Sequence, residues 1–182
     1  MPIPVTDNSN NRPDGLAAFL KLSDEENGKG IRGALFLVDS YGRPVEFYFS
    51  RINLVSQFLW REGEARRSSV TALVRALFES TEKLPIVILC LSDEIPPKVF
   101  SEDLLIEIPA CRISTGGITA HSVTDKVESL DESTDIFWVN NEPMPESHAR
   151  LFLESLDTSK LILEPFSRAQ IGLDEAFAAG TS

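Results

Sequence analysis

The sequence predicts an α/β or α+β fold: one mixed β-sheet, opened by an antiparallel hairpin or meander, with helices packed on it. Three observations carry this. A period-two pattern split by a turn fills 31–50, a period-3.6 apolar stripe follows at 70–78, and short apolar runs then alternate with amphipathic ones.

The elements follow in order. Residues 1–13 are rich in Asn, Pro and Ser without periodicity and are expected to be a disordered arm, which leaves 14–180 as a single domain. A chain of 182 residues, 42% of them apolar, has material for one core without metal or disulfide. Leu16, Ala18, Leu20 and Leu22 alternate with Ala17, Phe19 and Lys21, the pattern of a half-buried strand. Two runs of strand formers, 34–38 and 45–49, flank Asp39-Ser40-Tyr41-Gly42-Arg43-Pro44, a turn between the arms of a hairpin. Ile52, Val55 and Leu59 suggest a short helix. A longer one, over 69–82 and capped by Ser68 or Ser69, places Val70, Leu73, Val74, Leu77 and Phe78 on one face. The run 86–91, apolar on both faces, reads as a central strand. Further strands are expected at 104–108, 136–139 and 161–163, a loop at 113–123, a helix started by Pro145, and a terminal helix carrying Phe166, Ala169, Leu173, Ala176 and Phe177 up to Gly180.

Composition bounds the function. Twenty-eight acidic against seventeen basic residues give a net charge of -11, which favours solubility and opposes nonspecific binding to polyanions. The window 51–75 departs from this: Arg51, Arg61, Arg66, Arg67 and Arg75 face only Glu62 and Glu64, so it carries +3. Cys90 and Cys111 lie beside apolar runs and read as reduced core thiols. With no secretory leader recognisable at Met1, a cytoplasmic location is expected. No apolar run approaches the roughly 18 residues of a membrane span.

The motifs of the common enzyme classes are missing: no G-x-G-x-x-G, Walker loop, H-E-x-x-H, G-x-S-x-G, C-x-x-C or EF-hand loop occurs. Asp39 and Glu46 bracket the hairpin turn, as carboxylates that share a divalent cation must lie near each other. The segment resembles the hairpin of PD-(D/E)xK nucleases, and the resemblance implies a metal-dependent phosphodiesterase or nuclease. Tyr48 stands where that family has its lysine, and Asp39 ends its strand rather than starting it. The alternative roles are structural, with Asp39 closing the turn and Glu46 pairing with an arginine such as Arg43. Cys90, Cys111, His121 and His148 have the chemistry of zinc ligands but the spacing of no compact zinc module, so no metal site is expected. Ser114-Thr115-Gly116-Gly117 can offer backbone N–H groups to an anion, or serve as a plain turn. Trp60 and its arginine neighbours have the composition of a binding hot spot. The stretches 37–47 and 163–166 resemble parts of bacterial proteins, which implies a bacterial chain but no activity.

The expectation is therefore a non-enzymatic interaction or accessory subunit of a cytoplasmic bacterial protein complex. It would act through Arg51, Trp60, Arg61, Arg66 and Arg67, with a protein or a second copy as partner and no cofactor or metal. Two alternatives stand beside it: a metal-dependent phosphodiesterase or nuclease using Asp39 and Glu46, and a nucleic-acid-associated adaptor using the arginine cluster 51–75, nucleic acid being possible but not favoured by the charge.

Overall fold

The computed structural model describes residues 12–26, 28–54, 57–61, 63–115 and 126–179. The first three strands, β1 (Ala17–Asp24), β2 (Gly30–Val38) and β3 (Pro44–Asn53), form an antiparallel meander. The helix α1 (Glu64–Ser80) then leads to β4 (Val87–Leu91), which pairs parallel with β1. After a single helical turn at Val99–Asp103 comes β5 (Ala110–Thr115), parallel to β4. The strands β6 (Lys126–Ser129) and β7 (Thr134–Asn140) add antiparallel, and α2 (His148–Thr158) and α3 (Glu164–Ala179) close the chain. The result is one seven-stranded mixed sheet in the order β3-β2-β1-β4-β5-β7-β6, with helices on both faces, as the sequence predicts.

Two apolar layers hold it together. On one face Val70, Leu73, Val74 and Leu77 of α1 pack with Leu20, Leu35, Ile88 and Phe100; on the other, Phe152 and Leu156 of α2 and Phe166 and Ala169 of α3 pack with Phe19, Leu89, Cys111 and Trp138. This explains why β1 is not half-buried as its alternation suggests: it lies in the middle of the sheet, and Ala17–Leu20 are buried on both faces. The two thiols sit in opposite layers, reduced, with Cys90 Sγ donating to the Cys111 carbonyl at 3.5 Å.

A close approach fixes where α1 lies. A Cβ on Gly33 of β2 would meet Leu22 Cδ2 at 2.9 Å and Leu73 Cδ2 at 3.0 Å, so only glycine lets the helix settle this near the sheet. The helix starts at Glu64, ahead of the expected serines, and is preceded by Gly63, whose φ of 80° is open to glycine and strained for other residues. Ser69 is buried inside it.

Other expectations are corrected. Among the described residues of 52–59 the expected helix is replaced by the end of β3, which β2 holds in register to Asn53, and by a 3-10 turn at Gln57–Leu59. The run 104–108 is not a strand. Leu105 is 94% exposed there, and the Asn140 side-chain amide donates to the carbonyls of Ile106 (2.7 Å) and Ile108 (3.2 Å) in place of a ladder. The parallel ladder begins after it, where Ile88 N donates to the Pro109 carbonyl at 2.9 Å. Pro145 does not begin α2; Ser147 caps it, accepting from Arg150 N at 3.3 Å. Residues 161–163 form the turn between α2 and α3, with Leu161 N donating to the Leu156 carbonyl at 2.8 Å. Most of the arm 1–13, and most of the expected loop 113–123, lie outside the described residues.

Candidate functional site at the carboxyl ends of the central strands

The chain leaves β1 toward one edge of the sheet, through β2 and β3, and re-enters at β4 to proceed toward the other. Such a reversal opens a crevice beyond the carboxyl ends of the two strands, where open α/β sheets hold their ligands. In this molecule those ends belong to β1, β4 and β5, and they carry ionisable groups inside otherwise apolar strands.

Lys21 of β1 and Glu94, just past β4, meet there. The Lys21 ammonium donates to Glu94 Oε1, and Leu22 N donates to Oε2 at 2.8 Å, so both carboxylate oxygens are held. The two side chains are only 15% and 13% exposed. Burial pushes the Glu94 carboxyl above the ordinary glutamate range, and the Lys21 and Leu22 donors offset part of that rise. Beside the pair is a cavity of about 470 Å³ between the strand ends and α3, lined by Lys21, Thr115, Ser167 and Gln170 with Leu91, Leu163, Phe166 and Ile171. A cation and three neutral hydrogen-bonding groups thus share one partly apolar crevice, and Glu94 is joined to it through Lys21. On the opposite face of β5, Arg112 is 4% exposed; its Nη2 donates to the Ser92 carbonyl, while Nε and Nη1 have no hydrogen-bond partner among the described residues. The neighbouring Cys90 thiol is pushed up to about 12 by burial and is no nucleophile at neutral pH.

The arginines of 51–75 are not a common positive surface. Arg51 lies 3.6 Å from Glu25, Arg66 2.5 Å from Asp24, and Arg67 grips Asp103 through Nε (2.7 Å) and Nη2 (2.5 Å) and Glu102 through Nη2 (2.8 Å). Arg67 holds the carboxyls of Glu102 and Asp103 below their usual range and is itself raised. Arg61 and Arg75 have no carboxylate partner among the described residues. Trp60 lies at the mouth of a groove of about 560 Å³ along α1 that also takes in Arg67 and Arg75.

Asp39 and Glu46 have separate partners. Asp39 Oδ1 accepts from Tyr41 N and Arg43 N, each at 2.9 Å, and so closes the turn. Glu46 accepts from Thr81 Oγ1 at 3.1 Å and lies 4.0 Å from Lys83 rather than pairing with Arg43. Among the described residues no three His, Cys, Asp or Glu side chains gather as a metal-ligand group. His148 Nε2 contacts the Asp14 carbonyl, while His121, Gly116 and Gly117 lie outside the described residues.

Sequence reasoning passed over Lys21, Glu94 and Arg112. The available signal was a single charge inside each of the runs 16–22 and 110–113, which becomes costly once those strands are covered on both faces.

No family model matches the chain, and no curated protein matches it. Solved structures resemble it, two endonucleases V among them. The endonuclease V from Bacillus subtilis superposes with a TM-score of 0.61 at 14% identity, over 92% of this chain and 84% of that one. The endonuclease V from Streptomyces avermitilis gives 0.63 at 12% identity, over 94% and 85%. The chain shares their fold. That both neighbours are nucleases overturns the expectation of a non-enzymatic accessory subunit, and the protein-partner reading built on it is withdrawn. The absence of linear motifs is not the absence of a site, because this fold assembles its crevice from strand ends far apart in sequence. Among the described residues, no helix is long and apolar enough to cross a membrane.

Proposed function

We propose that this chain is a nuclease-like enzyme acting on nucleic acid, with the crevice of Lys21 and Glu94 as its working site. The supporting observation is the position of this buried ion pair: it occupies the strand reversal of a sheet shared with two endonuclease V structures. An ammonium in a low-dielectric crevice attracts a phosphodiester and stabilises charge that grows on its oxygens during cleavage. Glu94, whose two oxygens are held by Lys21 and by Leu22 N, fixes the ammonium beside the cavity. Thr115, Ser167 and Gln170 supply hydrogen bonds that orient the substrate. Asp39 and Glu46 do not fit a divalent-cation pair, since Asp39 is committed to two backbone N–H groups and Glu46 to Thr81 and Lys83. Their role in this reading is to fix the β2–β3 turn and to anchor β3 to the segment after α1.

The test is a cleavage and binding assay with single- and double-stranded DNA and RNA, with and without Mg²⁺. Lys21→Met and Glu94→Gln should each lower the cleavage rate by about a hundredfold or more. Wild-type cleavage that both variants retain, or no cleavage of any of these substrates, sinks the proposal. We further infer one domain over 14–180 with residues 1–13 as an arm, and a cytoplasmic location consistent with two reduced thiols. Limited proteolysis that cut first within 14–180 would contradict the domain assignment.

A further inference from the structure

We infer that Phe58, Leu59 and Trp60, flanked by Arg61 and Arg75, form a stacking platform for an unpaired nucleic-acid strand. The inference rests on the nucleic-acid reading above and adds where the strand is held and in what form. Three consecutive large apolar side chains stand in solvent at the turn before α1, with Phe58 85%, Leu59 74% and Trp60 44% exposed. A run of this kind marks a contact surface. The groove that starts at Trp60 continues along α1 past Ser68 and Thr71 to Arg75, and there joins a second groove of about 450 Å³ that ends at Leu105.

The charges decide the occupant. Of the five arginines in this region, Arg51, Arg66 and Arg67 are matched by carboxylates, and the two without such a partner among the described residues, Arg61 and Arg75, are those beside Trp60 and along its groove. Of the carboxylates that line the two grooves, Asp103 is held by Arg67, while Glu64 near Trp60 and Glu79 near Arg75 stand against the two arginines, so the ligand's backbone runs on the arginine side. Exposed rings next to uncompensated guanidinium groups suit a ligand with flat π-faces on an anionic backbone. In a duplex those faces are already stacked, so the fit is to a single strand. The platform also lies at the right end of the molecule. β3 runs parallel to β1, so the segment that follows it emerges at the end of the sheet that carries Lys21 and Glu94.

Trp60 reports on itself, because the other tryptophan, Trp138, is 6% exposed. Titrating the full chain with oligodeoxythymidine or oligouridine should quench the Trp60 emission saturably, and a duplex of matched length should bind more weakly. Phe58→Ala and Trp60→Ala should each weaken binding about tenfold, while Trp60→Phe, which keeps a ring, should restore most of it. Arg61→Ala and Arg75→Ala should each flatten the dependence of affinity on salt by about one unit of log-log slope. Single-strand binding that leaves Trp60 emission unchanged and survives Phe58→Ala and Trp60→Ala overturns the platform while the nucleic-acid reading stands. No binding to any nucleic acid overturns both. Quenching that is indifferent to salt and to both arginine variants assigns the patch to an apolar partner and overturns it as well.

Discussion

A lysine and a glutamate held almost out of water, in strands that could have been wholly apolar, cost desolvation energy that their attraction only partly offsets. Lys21 and Glu94 therefore depend on each other. Removing the ammonium leaves Glu94 with the Leu22 N–H alone, and burial then drives its carboxyl further upward. A carboxyl raised in the folded state binds its proton more tightly folded than unfolded, so folding weakens as pH climbs from about 4.3, the unfolded glutamate value, through the folded one. Lys21→Met should accordingly be more stable at pH 5 than at pH 8, and adding Glu94→Gln should abolish that difference. Chemical denaturation at the two pH values measures both, and equal stabilities in the single variant would show that Glu94 is not the group taking up the proton. Neither residue stands out in the sequence. Lys21 alternates with Leu20 and Leu22 as any exposed strand lysine would, and Glu94 sits in a polar stretch after β4; only the covering of both sheet faces makes them unusual.

At the scale of elements, legibility followed burial. The stripe of Val70, Leu73, Val74 and Leu77 and the runs of β2 and β4 were readable because they meet continuous apolar layers, where period and environment agree. Phe78, assigned to the same stripe, is only half-buried at the last turn of α1, packed on the edge of the apolar layer. The failures cluster where apolar residues are not buried: 52–59 and 104–108 carry the hydrophobicity of core elements, yet Phe58, Leu59 and Leu105 face solvent. Trp60, next after the first segment, and Leu104–Ile106 of the second line the grooves along α1, so the places where pattern reading fails adjoin those proposed for a ligand. The packing of α1 has a direct check. Leu77 is 1% exposed, and Leu77→Ala should cost about 2 to 5 kcal/mol, whereas Arg75→Ala on the outer face of the same helix should change stability by about 0.5 kcal/mol or less. Indistinguishable thermal melts for the two would mean the helix presents a different face to β1 and β2.

Across the whole molecule, the order of strands could not be read from the sequence, since nothing local to β4 states that it will insert beside β1 rather than continue beyond β3. What secures that choice includes polar links between distant segments, and the largest of these joins α1 to the turn after β4. Arg67 bonds Asp103 through two nitrogens and Glu102 through one, and Thr71 Oγ1 adds a bond to Asp103 at 3.0 Å. The guanidinium holds both carboxyls below their ordinary values. A group depressed in the folded state contributes stability that is fully present above its unfolded pKa, about 3.9 for aspartate and 4.3 for glutamate, and that is lost as pH falls through the folded values. The chain carries a net charge of -11, so protonating surface acids between pH 6 and 5 should relieve repulsion and leave this cluster intact. At lower pH still, the cluster itself discharges as pH falls through the lowered folded values. Arg67→Gln should therefore be less stable than wild type at pH 7, and the gap between them should narrow steadily as pH drops below about 4. Parallel acid titrations of the melting temperature measure that gap. A gap that stayed constant down to pH 3 would mean that Arg67 acts through packing against α1 and Asp103 rather than through charge, and that the link between α1 and the 99–103 turn is insensitive to acid.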